Sequence, residues 1–168
     1  MSLFRLVLLL VGLCRILELI YARHNTRRLF ASGAREAGRG HYPVIVALHV
    51  AWFIAMLITI PSGAPPQWFW LGLFIVLQAG RAWVLLTLGR FWTTRIVTLP
   101  GAPLVRAGPY RFIRHPNYLI VELEIIALPL AFGAPLLALA FGLANAAVLW
   151  WRIRIENEAL GARRIVVQ

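Results

Sequence analysis

Cysteine is almost absent. Cys14 stands alone in an apolar run, which excludes an intrachain disulfide and a thiolate metal cluster. Lysine and aspartate do not occur: the 17 basic residues are all arginine and the 6 acids all glutamate. His24, His41, His49 and His115 show no close ligand spacing, so no metal is expected. Internal repeats and low-complexity tracts are missing, which points to one domain over 1–168. No small-residue cleavage site follows the first apolar run, which continues into Tyr21-Ala22-Arg23-His24. Residues 3–21 therefore read as a retained span, not a signal peptide.

What fills the chain is apolar. Hydrophobic residues make up 61%, against about 45–50% in soluble domains. A chain this short has too little interior to hide them from water, and lipid is the simpler solvent. Five apolar stretches stand out, at 3–21, 43–60, 66–88, 117–132 and 134–151. They predict an all-α integral membrane protein of about five transmembrane helices. The fourth and fifth are expected to form a tight hairpin turning at Gly133-Ala134-Pro135. Pro61, Pro65 and Pro66 break the chain before the third, where Trp68 and Trp70 suit an interfacial belt.

The net charge of +11 invites a nucleic-acid partner. The arginines argue against one, because they cluster between the apolar runs. Arg23, Arg27, Arg28, Arg35 and Arg39 lie in 22–42; Arg90, Arg95, Arg106, Arg111 and Arg114 lie in 89–116; Arg152, Arg154, Arg163 and Arg164 lie in the tail. The connections at 61–65 and 133–135 carry no charge. Basic and neutral connections alternate as five spans require, so the N-terminus is expected outside and the C-terminus in the cytoplasm.

Charges inside the apolar runs are expensive and should face protein. Arg15 and Glu18, and likewise Gln78 and Arg81, are three residues apart and share a helix face. For Arg15 and Glu18 a place near the cytoplasmic end, with Arg15 snorkelling, is equally consistent. Glu122 and Glu124 point about 200° apart on a helix, so they do not act as a pair. Each needs an arginine from another helix or a water-filled pocket.

The densest chemical signal is Gly108-Pro109-Tyr110-Arg111-Phe112-Ile113-Arg114-His115-Pro116-Asn117-Tyr118. Pro116 suits the first turn of a helix. The N–H groups after it, with Arg111, Arg114 and His115 nearby, would receive an anion such as a carboxylate. Gly101, Pro103, Gly108 and Pro109 make a shaped loop. Positive-inside anchoring alone would explain the arginines but not the His-Pro-Asn-Tyr run. After the fifth stretch come Arg152, Arg154, Glu156, Asn157 and Glu158. Arg152 with Glu156, and Arg154 with Glu158, are i,i+4 pairs that would brace a helix or serve a site.

The Gly-Pro-Tyr-x3-Arg-His-Pro-x-Tyr run with a downstream Arg-x3-Glu resembles the isoprenylcysteine carboxyl methyltransferase family, and more loosely the phospholipid N-methyltransferases. Upstream, Arg15-Ile16-Leu17-Glu18-Leu19, Asn25, Gly33 to Gly38, His41-Tyr42-Pro43 and Phe91-Trp92-Thr93-Thr94-Arg95 match its bacterial branch. The resemblance implies S-adenosyl-L-methionine as methyl donor, a pocket facing the cytoplasm, and a lipophilic acceptor reached from the plasma (inner) membrane. It implies Gly108, Tyr110, His115, Pro116, Tyr118, Arg152, Glu156 and Glu158 around the donor. Where the family has two adjacent glutamates, this chain reads Glu156-Asn157, with Glu158 one step later. The branch includes enzymes that O-methylate alkylresorcinols and alkylpyrones. Such a hydroxyl would benefit from a base, for which Glu124 and Glu122 are candidates, with Arg114 assisting; a carboxylate acceptor needs none. A sterol-reductase-like enzyme using NADPH shares the Arg-His-x-Asn-Tyr pattern but normally continues with Gly-Asp, whereas this chain has Leu119-Ile120. A small transporter would concentrate polar groups at a midplane site, and this chain concentrates them at one end.

Overall fold

The computed structural model describes residues 2–102 and 104–164, with side chains up to residue 161. Pro103 and the side chains of Arg163 and Arg164 lie outside the described residues. Five helices dominate: α1 (Leu3–Ala31), α2 (His41–Thr59), α3 (Trp68–Leu88), α4 (Pro116–Leu130) and α5 (Pro135–Arg164). The all-α expectation needs one correction. Strands β1 (Arg35–Ala37) and β2 (Ile96–Thr98) pair antiparallel, with Glu36 opposite Val97. The ribbon ties the α1–α2 connection to the long α3–α4 connection.

The helix limits follow local chemistry. Ser2 Oγ accepts the Arg5 N–H at 3.4 Å and caps α1. The same helix ends where Gly33 takes φ +88, a left-handed conformation that glycine adopts without a Cβ penalty. Pro116 opens α4 at its first turn. The hairpin between α4 and α5 turns at Gly133, φ +75, as expected. α1 and α5 run well past residues 21 and 151, where the apolar runs stop. Their polar ends continue as helix beyond the lipid-like part of the sequence.

The bundle is inside-out by the standards of a soluble protein. Leu17, Ile58, Leu86, Leu136 and Leu143 are exposed on its flanks, while Arg152, Glu124 and Asn145 are buried. That distribution suits hydrocarbon as the surrounding solvent. Three helices are long and apolar enough to cross a membrane: His41–Thr59, the stretch Trp68–Phe91 and Pro135–Gly161. The other two fall short for separate reasons. α1 has Arg5, Arg15 and Glu18 in its first half. α4 has 15 residues, about 22 Å at 1.5 Å per residue, against a hydrocarbon core of about 30 Å.

The bundle has two different ends. At one, Phe4 meets Phe132 edge-on at 5.0 Å, and the Gln67 N–H donates to the Ala131 carbonyl at 2.8 Å. This end holds the N-terminus and both uncharged turns. The core behind it is Trp52, Met56, Phe74, Ile125 and Leu128. The opposite end gathers the ribbon, the basic loop before α4 and the last turns of α5.

Between the ends, α1, α3 and α4 are joined by a polar network. Arg81 reaches Glu18 at 2.7 Å and Glu124 at 3.1 Å. Arg15 reaches Glu18 at 3.1 Å and the Gln78 Oε1 at 2.6 Å. The Gln78 amide donates to Glu124 at 2.7 Å. Two cations face two carboxylates, so the network itself carries no net charge. Arg15 and Glu18 thus face the bundle interior. Glu122 points elsewhere and accepts from Asn145 of α5 at 2.8 Å.

Candidate active site

At the basic end a cavity of about 680 Å³ opens beneath the long α3–α4 connection. The connection is pinned at its start, where the Asn25 amide donates to the Gly89 and Trp92 carbonyls, both at 3.0 Å. Trp92 is buried on the cavity wall, with the Arg81 guanidinium 5.8 Å above its ring. The midspan network therefore ends directly behind the wall. Further on, Gly108 takes φ +52, and a Cβ there would stand 2.5 Å from Thr87 Oγ1. Only glycine lets the loop lie this close to α3.

Four segments meet at Arg152. Its Nε donates to the Tyr118 phenol oxygen at 2.8 Å. Its Nη2 donates to the Thr94 carbonyl at 2.8 Å, and its Nη1 lies 3.0 Å from His41 Nε2. The Tyr118 hydroxyl in turn donates to Glu156 in a short hydrogen bond. His115 stacks on Tyr118 with ring centres 5.4 Å apart. It lies 3.7 Å from Glu156 and 3.2 Å from the Asn157 amide oxygen. Residues 34 to 42 positions apart in sequence thus form one hydrogen-bonded cluster on α4 and α5. Tyr110 sits in the 3-10 turn Gly108–Arg111. Burial, and then the Glu156 carboxylate, push its phenol above its ordinary range, so it stays neutral.

Of the residues expected at the donor, Tyr110, His115, Tyr118, Arg152 and Glu156 line the cavity, with Arg114. Gly108 and Pro116 lie behind it: one packs on α3, the other is buried in the first turn of α4. Glu158 is exposed and off the wall. Glu122 and Glu124 are not on the wall either; Glu124 is committed to Arg81 and Gln78, and Glu122 to Asn145. The expected row of free N–H groups at α4 narrows, because Tyr118 and Leu119 both turn back to the His115 carbonyl. Sequence reasoning gave Asn157 no partner and assigned no role to His41, Asn25 or Thr94. The runs around the last three had matched a family pattern, which was the available signal.

A family model for isoprenylcysteine carboxyl methyltransferases matches residues 70–162. That stretch runs from α3 to the end of α5 and contains every residue of the cavity wall. The chain belongs to this methyltransferase family. It is 37% identical over 162 residues to the uncharacterized protein YpbQ of Bacillus subtilis, covering 94% of this chain and 96% of that one. It is 29% identical over 147 residues to an uncharacterized protein of Haemophilus influenzae, covering 84% of each. No solved structure matches it. As a family member it is a membrane protein, consistent with its three long apolar helices. α1, β1 and α2, which supply Asn25, Glu36 and His41, fall outside the matched stretch.

Proposed function

We propose that this protein transfers a methyl group from S-adenosyl-L-methionine to an oxygen of a lipophilic acceptor at the cytoplasmic face of the plasma membrane. One observation carries the reading: the Arg152–Tyr118–Glu156–His115 cluster lines a cavity of about 680 Å³ at the basic end of the bundle. The residues fit the donor. The volume lies within the roughly 300–1,000 Å³ of small-molecule sites. Arg114 offers a cation for a carboxylate, Glu156 an acceptor for an ammonium or ribose hydroxyls, and Tyr110 and Trp92 aromatic faces for a sulfonium.

The donor supplies an activated methyl group, and direct displacement then demands alignment above all. Holding two reactants in line contributes about 7–11 kcal/mol. Tyr118, fixed between Arg152 and Glu156, and Trp92, fixed by Asn25 and Arg81, make a rigid wall for that purpose. Leu88, Phe91, Ile96 and Leu160 supply apolar lining that excludes water and accommodates an oily acceptor. Among the described residues, five arginines on the wall face one carboxylate, Glu156. Such a field favours an anionic oxygen nucleophile, either a carboxylate as in isoprenylcysteine or an acidic hydroxyl as in an alkylresorcinol or alkylpyrone. It disfavours the amine of a phospholipid headgroup. The absence of Glu122 and Glu124 from the wall favours the carboxylate within that choice, since an ionised acceptor needs no base whereas a hydroxyl would benefit from one.

Five crossings, with the N-terminus outside, would place the three basic segments in the cytoplasm. Two experiments test these statements. S-adenosylhomocysteine should raise the thermal midpoint of the detergent-solubilised protein while NADPH should not, because only a true ligand stabilises by mass action; the reverse result would favour a reductase. Single cysteines in a Cys14→Ser background, placed at Arg39 and Arg106, should both react with a membrane-impermeant thiol reagent only in inverted vesicles. Opposite accessibilities would end the shared-pocket reading.

A further inference from the structure

His41 is buried to 1% exposure on α2 and does not line the cavity. Its Nε2 lies 3.0 Å from Arg152 Nη1. A guanidinium nitrogen only donates, so Nε2 must accept and the ring must be neutral, with its proton on Nδ1. Nδ1 faces the Gly38 turn, where a Cβ would stand 3.1 Å away. The edge of the ring meets Trp151 at 6.2 Å between centres. The imidazole is buried between the Gly38 turn and Trp151, with no hydrogen-bond partner for Nδ1 among the described residues, and its Nε2 holds one corner of Arg152. The Thr94 carbonyl holds the second and the Tyr118 oxygen takes the third. The Tyr118 hydroxyl in turn donates its hydrogen bond to Glu156.

We infer that His41 is a positioning residue for the donor pocket: its neutral Nε2 orients Arg152, and through Arg152 it sets Tyr118 and Glu156. The inference rests on the reading of the cavity as the donor site. Protonation of His41 would place two donors and two cations face to face. Arg152 would then release the ring, and Tyr118 would lose a fixed partner. The charged groups around the imidazole are Arg152 and Glu156 from α5 and Glu36 from β1. Neither carboxylate is free to compensate. Glu36 is held by Arg95 at 3.1 Å and Arg39 at 3.6 Å, and Glu156 by Tyr118 and His115. The arrangement holds at neutral and alkaline pH and is lost as pH falls through the titration of His41.

The test compares wild type, His41→Gln and His41→Phe in detergent between about pH 4.5 and pH 8, since the Arg152 guanidinium opposes protonation of the neighbouring imidazole. Glutamine keeps an uncharged acceptor for Arg152, and phenylalanine keeps the ring without it. Loss of one hydrogen bond to a charged group corresponds to about tenfold or more in affinity. Wild type should bind S-adenosylhomocysteine about tenfold more weakly at the acid end. His41→Gln should bind like alkaline wild type throughout, and His41→Phe should be weak at every pH. The thermal midpoint without ligand is a second readout: it should fall with acidification in wild type and much less in His41→Gln. If His41→Gln keeps the full wild-type pH slope in both readouts, His115 or another group titrates and the inference is overturned. If His41→Phe binds like wild type, it is overturned as well. If no variant binds S-adenosylhomocysteine but the midpoints behave as described, His41 still positions Arg152 and the donor reading is what fails.

Discussion

Glu156→Gln isolates the one carboxylate on the cavity wall. Glutamine preserves size and an acceptor oxygen for the Tyr118 hydroxyl, so the contact between α4 and α5 survives. What disappears is the negative charge available to the ammonium or ribose hydroxyls of the donor. A hydrogen bond to a charged group contributes about 1.5–3 kcal/mol. The Glu156 side chain is 25% exposed, so solvent screening places the loss near the lower end, about 1.5 kcal/mol. That is roughly tenfold in dissociation constant. Titration calorimetry of the detergent-solubilised protein with S-adenosylhomocysteine measures it directly. The thermal midpoint without ligand should stay close to wild type, because Glu156 takes no part in the midspan network. An affinity within about twofold of wild type, in a folded protein, would remove Glu156 from the donor site and refute the reasoning.

Three further outcomes are expected. Glu124→Gln breaks the balance of two arginines and two glutamates between α1, α3 and α4; leaving a buried cation unpaired costs about 3–5 kcal/mol, which should appear as a lower thermal midpoint, with KM for the methyl donor unchanged in the protein that remains folded. Gly108→Val forces a side chain against Thr87 at a positive φ, so the loop should shift and donor affinity should fall, while Gly133→Ala, at the far turn, should leave affinity alone. The Tyr110 phenol is held above its ordinary value of 10.0 by burial and Glu156. Its contribution to stability is present below about pH 10 and is lost as pH rises toward the folded value, since only the unfolded chain ionises there; Tyr110→Phe should flatten alkaline unfolding, and an unchanged alkaline slope would contradict it.

Much of the bundle was legible because lipid-facing helices write themselves as apolar runs. The stretch 66–88 matches α3 (Trp68–Leu88), and 43–60 matches α2 (His41–Thr59), to within two residues. The extension of α1 was not legible, because hydropathy marks where a helix leaves lipid, not where it stops; that of α5 was signalled only by the i,i+4 spacing of Arg152 with Glu156 and Arg154 with Glu158. The ribbon was hidden for a different reason: Arg35–Ala37 and Ile96–Thr98 are three residues each, too short for an alternating pattern to register. The i,i+3 spacing of Arg15 with Glu18 predicted a shared face. It could not say that Arg81 and Glu124 would complete the network from two other helices. The Gly108–Tyr118 run and the Arg152–Glu156 pair led to the cavity because both segments carry their chemistry locally. His41 stood only within a run that matched a family pattern; the pattern could not show its contact with a residue 111 positions away.

The central claim is methyl transfer to a lipid oxygen. The most direct measurement incubates the purified protein with isotopically labelled S-adenosyl-L-methionine and total membrane lipid extract, then identifies labelled lipids by mass spectrometry. Label should appear in a methyl ester or methyl ether of an acidic lipid, and about tenfold less of it with Glu156→Gln at limiting donor concentration. Label confined to a methylated amine headgroup, or no transfer to any lipid by a protein that binds the donor, would contradict it.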